Sequence, residues 1–259
     1  MKRPDKPKIF IALATYSKRF RPAFVEFLEA LVLDERFYGI EFQFRIVPGE
    51  SLVTRARNNL AWQFMMETDC DAMLCIDVDL HTTPDMVLKV IENWLPVCGG
   101  RYPAKQADLR WILTPLNGNT APEENGLLKV QEIGTGFFWV LREVLEGIIN
   151  AYPEISYLCD GRADMQQLKW DFFSVGVVNH RLMSEDYFFC FRARQIGYDI
   201  IADTMINIGH GDWLLEWGPD CHLKTKFVED EPESVHYESV LTILSEACEV
   251  RRKMLEKVA

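Results

Sequence analysis

A chain of 259 residues with 48% hydrophobic and 26% charged content is long enough to bury one large core, with or without a small appendage. Its formal net charge of -11 excludes a protein that coats duplex nucleic acid non-specifically, while leaving room for a locally basic anion site. No apolar run approaches the ~20 residues that cross a bilayer. The seven cysteines form no C-x-x-C pair, and several sit in apolar runs such as "MLCI" and "YFFCF", which predicts buried free thiols in a reducing compartment, the cytoplasm.

The N-terminus "MKRPDKPKIFIALATYSKRF" is basic with a short apolar run, but it lacks a small-residue cleavage site and reaches Arg19 soon after, so no leader is expected. "KIFIALAT", bounded by Pro7 and Thr15, predicts a buried strand. "RPAFVEFLEALVLDERF" spaces Phe24, Phe27, Leu28 and Leu31 at helical intervals. "EFQFRIV" alternates Phe42, Phe44 and Ile46 with polar neighbours and predicts a strand ending at Pro48-Gly49. "SLVTRARNNLAWQFMMET" predicts a helix with Ser51 as its N-cap. "AMLCIDV" follows as a strand, and Thr83-Pro84 opens the helix "PDMVLKVIENWL". "PVCGGRYPA" predicts a short strand and "TPLNGNTAPEENG" a turn region. "LLKVQEIGTGFFWVLREVLEGIINAYP" predicts strand, Gly-Thr-Gly, strand, helix. "MSEDYFFCFRARQIGYDIIADTMINIGHGD" predicts a helix, a strand and a histidine. "VEDEPES" (228–234) is an acidic hinge, and "HYESVLTILSEACEVRRKMLEKVA" one amphipathic helix docked on the body or on a second copy. Alternating strands and helices predict an α/β fold, a mainly parallel sheet with helices on both faces. The expected division is a main domain over 1–215 and a hinge with C-terminal helix over 216–259.

The stretch "CDAMLCIDVDLH" ends an apolar strand in Asp77 and Asp79. Open parallel sheets bind ligands outside the carboxyl ends of their strands. Two carboxylates at alternate positions there suit a divalent cation with oxygen ligands, which in turn could clamp a diphosphate. A lone D-x-D also serves as a turn into the next helix.

The wider stretch "TRARNNLAWQFMMETDCDAMLCIDVDL" resembles the GT-A glycosyltransferases, in many of which a helix with an Arg-Asn pair leads into an apolar strand and a D-x-D. "EIGTGFFWVLREVLEGI" is similar to their acceptor-side segment, "SEDYFFCFRARQIGYDI" to their Glu-Asp helix start, and "NIGH" to the late histidine that often completes the metal site. The elements follow the family's order over roughly residues 8 to 212. Two features depart from the family 2 pattern: "ATYSKRF" stands where an asparagine often follows the first strand, and no Q-x-x-R-W is present, which argues against a processive synthase.

The resemblance implies a GT-A, Rossmann-like domain that moves a single sugar from a UDP- or GDP-sugar to a hydroxyl acceptor, with inversion. It implies Asp79 and His210 as metal ligands, and Asp77 as a contact to the ribose or, through water, to the metal. A mixed carboxylate and imidazole shell suits Mn2+ at least as well as Mg2+. Asp186 is the expected general base, with Glu185 as its alternative and Ser184 as N-cap; both carboxylates would also serve as simple N-terminal caps. Arg57 and Asn58 are expected at the nucleotide, with Thr15 and Tyr16 at base and ribose. Arg55 is a second arginine of the same helix or a surface charge, and Tyr16 is equally a core-rim aromatic. Gly134, Thr135 and Gly136 let backbone approach the sugar or form an ordinary turn. Trp213 and Trp217 stack on a sugar or anchor the C-terminal helix. His210 is otherwise a loop histidine. The acceptor is a glycan, a small molecule or a modified base of phage DNA, the last served by a rim of Lys18, Arg19, Arg21, Arg101, Lys105 and Arg110. A homo-oligomer would form through the C-terminal helix. Rival readings are a nucleotidyltransferase, although "LATYSKRFRP" lacks its glycine-rich loop, and a non-catalytic sugar- or nucleotide-binding module.

Overall fold

Period-two alternation along the first strand sorts the core. In β1 (Lys8–Thr15), Ile9, Ile11 and Leu13 face one apolar cluster and Phe10 and Ala12 face another. The computed structural model describes residues 2–106, 108–159, 167–217, 223–227 and 234–258; the side chains of Trp213, Glu216, Trp217 and Val258 are outside that description. After β1 come β2 (Arg19–Phe20), α1 (Pro22–Leu33), β3 (Glu41–Pro48), α2 (Val53–Glu67), β4 (Ala72–Asp77), β5 (Leu80–His81), α3 (Pro84–Asn93), β6 (Val97–Arg101) and β7 (Leu113–Pro115). The second half runs through β8 (Leu127–Ile133), β9 (Phe137–Leu141) and α4 (Arg142–Ala151), then two hairpins, β10 (Ser156–Leu158) with β11 (Leu168–Trp170) and β12 (Gly176–Val178) with β13 (Arg181–Met183). It closes with α5 (Glu185–Gln195), β14 (Ile200–Asn207), β15 (Gly209–His210), β16 (Trp213–Trp217), β17 (Leu223–Phe227), β18 (Val235–His236) and α6 (Tyr237–Val258).

The main sheet has eight strands in the order β3-β1-β4-β9-β6-β14-β8-β7. The pairings set β3, β1, β4, β6, β14 and β7 in one direction and β9 and β8 in the other. The sheet is therefore mixed and mainly parallel, as the alternation of strands and helices predicts. One face packs α1, α3 and α6 through residues such as Phe27, Leu31, Val90, Ile91, Val240 and Leu244. The other packs α2, α4 and α5 through Leu60, Phe64, Leu145, Ile148 and Phe189. Central strands covered on both faces read as near-continuous apolar runs, as "AMLCI" and "FFWVL" do.

Local chemistry departs from the sequence expectation in places. Ser51 is not the N-cap of α2: Leu52 holds that position, and the Glu50 carboxylate accepts the Leu52 N–H at 3.0 Å. Thr114 and Pro115, expected in a turn region, belong to β7; the turn itself follows at Asn117 and Gly118, both with positive φ. The three-residue hairpin strands were not foreseen, because a run that short shows too little alternation. A smaller sheet, β17-β16-β15-β5, joins the strands that follow β14 to the residues just after β4. The 215/216 boundary expected from sequence falls inside β16. The acidic hinge, apart from Ser234, and Cys221 lie outside the described residues. The cysteines are free among the described residues; Cys70, Cys75, Cys98 and Cys190 are buried, and Cys248 is exposed. Among the described residues no helix is long and apolar enough to cross a membrane.

Candidate functional site

Three parallel strands, β1, β4 and β6, deliver their carboxyl ends to one edge of the sheet: Thr15, Asp77 and Arg101 respectively. The chain leaves β4 at Asp77, whose N–H donates to the Gly136 carbonyl at 2.7 Å. Gly136 is required by this close approach, since a Cβ there would stand 2.8 Å from the Tyr102 hydroxyl and 3.1 Å from Asp77 Oδ2. Two residues on, Asp79 starts the turn into β5. Pairing of β5 with β15 places His210 opposite Leu80, and the Gly211 N–H donates to the Asp79 carbonyl at 2.8 Å.

Asp79 and His210 therefore meet: Nε2 of His210 lies 3.6 Å from Oδ2 of Asp79. The other ring nitrogen, Nδ1, lies 2.9 Å from the Pro103 carbonyl. A carbonyl oxygen only accepts, so Nδ1 donates to it, and Nε2 is the ring nitrogen that faces Asp79. Metal-ligating histidines are commonly oriented in this way, by a hydrogen bond from the far nitrogen to a carbonyl or carboxylate. Lys105 also reaches Asp79, with Nζ 2.5 Å from Oδ2. Burial would raise the Asp79 carboxyl, but the contacts from His210 and Lys105 outweigh it and hold the group well below the usual carboxylate range.

Asp77 faces elsewhere. Arg57, on α2 and only 6% exposed, forks between two acids: Nη2 donates to Asp77 at 3.1 and 3.2 Å, and Nη1 pairs with Glu185 at the start of α5. Among the described residues no group of three or more His, Cys, Asp or Glu side chains converges on a metal position. Asp77 does not complete a triad with Asp79 and His210, because its carboxylate is turned to Arg57. What fits a metal is the pair alone, one carboxylate and one imidazole; a divalent ion so held takes its other ligands from water and substrate phosphates.

Tyr102 joins the two halves. Its ring meets that of His210 edge-on, 5.2 Å between centroids, and its hydroxyl accepts the Gly136 N–H at 2.8 Å. Burial, and then the charge of Asp77, push its phenol well above the ordinary range, with Asp186 adding to the effect. The buried Thr135 hydroxyl beside Gly136 has no hydrogen-bond partner among the described residues.

At the start of α5 the two acids differ. Glu185 is held by Arg57. Asp186 accepts on Oδ1 from the Tyr187 N–H at 2.8 Å and from the Ser184 hydroxyl. Ser184 occupies the N-cap position, but its hydroxyl is spent on Asp186 instead of on a helix amide. Asn58 is buried and committed inward: its amide nitrogen donates to Asp171 at 2.7 Å, and its oxygen accepts the Phe173 N–H at 2.8 Å. Arg55 is an exposed partner of Glu50 at 2.6 Å. Thr15 is buried with its hydroxyl 3.3 Å from the Arg19 carbonyl, whereas Tyr16 is 73% exposed and no part of the core rim. Trp213 and Trp217 lie in β16, and the roles expected of them fall on side chains outside the described residues. Of the basic rim, Arg21 is spent on Gly211 and Asp212, at 2.7 Å each, and Arg101 on Asn207 and the face of Trp111. Sequence reasoning placed Lys105 in that rim and missed its contact with Asp79, along with Tyr102; an alternating "RYPAK" after a strand carries no signal for either.

No protein-family model matches the sequence, and no curated protein does. Among solved structures, the crystal structure of A197 from STIV aligns with 89% of this chain and 99% of its own, at 15% identity and a TM-score of 0.46. A crystal structure of GalNAc-T7 with UDP, GalNAc and Mn2+ aligns with 79% of this chain at 10% identity and a TM-score of 0.45; the match spans 43% of that protein's chain. Likeness at this level carries no functional inference.

Proposed function

We propose that the chain is a metal-dependent glycosyltransferase that moves one sugar from a nucleotide-diphosphate sugar, UDP- or GDP-linked, to a hydroxyl acceptor with inversion at the anomeric carbon. The observation that supports this reading is the joining, through Tyr102, of the Asp79–His210 pair to the Asp77–Arg57–Glu185 bridge that ends beside Asp186. Asp79 and His210 would hold Mn2+ or Mg2+, whose chemistry when bound is Lewis-acid stabilisation of a departing diphosphate. Asp186 takes the proton of the acceptor hydroxyl. The acceptor oxygen bonds to the anomeric carbon from the face opposite the diphosphate, and the carbon–oxygen bond to the diphosphate breaks with its electron pair. Glu185 is held in place by Arg57 and serves the geometry of Asp186. Thr15 and Tyr16, at the mouth of β1, are the contacts proposed for base and ribose, with Asp77 nearby.

A panel of nucleotide sugars, each incubated with the protein and Mn2+, tests the reading. Release of nucleoside diphosphate is expected from at least one donor, lost in excess chelator. Absence of both turnover and thermal stabilisation across the panel overturns it. Turnover that chelator leaves untouched removes the metal from it.

A further inference from the structure

Two features of the Asp79 site go together. The Asp79 carboxylate and Nε2 of His210 stand 3.6 Å apart, close enough to share one cation. One three-residue segment touches both groups. Pro103 offers the carbonyl that fixes the His210 proton on Nδ1, and Lys105 lays its ammonium on Asp79 Oδ2.

The segment itself is anchored. Pro103 bridges to Trp111, the Ala104 N–H donates to the Arg110 carbonyl at 2.8 Å, and the Ile112 N–H donates to the Tyr102 carbonyl at 3.0 Å. The Lys105 side chain, by contrast, is half exposed, at 51%, on a flexible four-carbon stem. Its aliphatic carbons lie over Gly211, where a Cβ would come 3.1 Å from Cε. The backbone is thus held while the ammonium is free to leave Asp79 without disturbing His210.

We propose that Lys105 is a resident cation that exchanges with a divalent metal on Asp79: with no metal it neutralises the carboxylate, and on metal binding it swings away to face the incoming diphosphate. The proposal rests on the metal reading of Asp79 and His210 given above, and makes Lys105 a positioning residue. A site whose binding-competent form is only partly populated binds more weakly by that fraction. An exposed ion pair of this kind shifts such an equilibrium by only a few-fold.

The test is direct Mn2+ binding to the full chain, read by loss of the free-ion electron paramagnetic resonance signal, without any sugar nucleotide. Lys105→Met keeps the length and removes the charge. We expect it to bind Mn2+ about three- to tenfold more tightly than the wild-type chain. Adding Asp79→Asn should abolish that gain. In a second arm, inorganic pyrophosphate in saturating Mn2+ should bind several-fold more weakly to Lys105→Met than to the wild type. Mn2+ affinity that is unchanged or weaker in Lys105→Met overturns the exchange and leaves the glycosyltransferase reading standing. A gain that survives Asp79→Asn overturns Asp79 as the shared ligand. If neither protein binds Mn2+, both the exchange and the metal part of the proposed function fall. Because Lys105 is half exposed, unchanged thermal unfolding of the variant serves as the check that it folds.

Discussion

Asp186 and Glu185 are adjacent in sequence but have different freedom. Glu185 is 14% exposed at its side chain and tied to Arg57; Asp186 has both of its hydrogen bonds on Oδ1, and among the described residues Oδ2 has none. A carboxylate that accepts a proton from substrate needs an oxygen to receive it. Asp186→Asn is therefore expected to lower turnover by about a hundred- to ten-thousandfold with donor affinity little changed, and the product anomer of the wild type should be inverted. Near-normal turnover of that variant, or a retained configuration, returns Asp186 to a capping role. Arg57 belongs to the same scale. It is buried, and its removal leaves Asp77 and Glu185 facing each other with no cation between them. Arg57→Met should cost about 3 kcal/mol in urea unfolding, and Arg57→Lys should recover only part of it, since a single ammonium lacks the planar fork that reaches both acids. Equal stability of all three proteins would show that the bridge carries no structural weight.

Among the elements, the central strands couple packing to pH. Burial pushes the Cys75 thiol on β4 and the Cys98 thiol on β6 each up to about 12. A folded-state value above the unfolded one means that the protonated thiol is favoured by folding. The contribution is complete below the ordinary thiol range of about 8.5 and is lost as pH rises toward the folded value, because the unfolded chain ionises first. Stability should fall between about pH 9 and 12, and the double variant Cys75→Ala, Cys98→Ala should show a shallower fall, whatever its lower starting stability. A parallel decline in the two proteins would place the alkaline loss elsewhere. Thiol reagents at neutral pH should label Cys248 and spare Cys75, Cys98 and Cys190, which are buried.

On the scale of the whole molecule, α6 closes one face of the sheet. Val240, Leu244 and Ala247 recur at helical spacing and join the same core cluster as Phe24, Phe27 and Leu31 of α1. Arg251 follows one turn later and donates to the carbonyls of Val32 at 3.3 Å, Ile40 at 2.6 Å and Phe37, so that one buried guanidinium ties the last helix to the end of α1 and the start of β3. The docked helix is thus part of the core of the domain. Leu244→Ala should cost about 2 to 4 kcal/mol in reversible unfolding. Unfolding of the remaining chain at an unchanged midpoint would instead make α6 an independent appendage.

The sequence by itself determined what short-range physics encodes. The apolar run from Ile9 to Leu13, helical spacing at Phe24, Phe27, Leu28 and Leu31, and the exit of an apolar strand at Asp77 and Asp79 were all legible, because each pattern is written within a few residues of chain. It also separated Asp77 and Asp79 from the core. What it could not order was the partnership of the charged groups. Arg57 meets Glu185 across 128 positions, Lys105 meets Asp79 across 26, and Asn58 turns inward to Asp171 across 113. A polar side chain carries no periodic signature of its partner; only closure of the sheet brings the ends of β1, β4 and β6 together and decides which acid each base neutralises. That is why Asp79 and His210 form a pair while Asp77, two residues away in the chain, is claimed by Arg57.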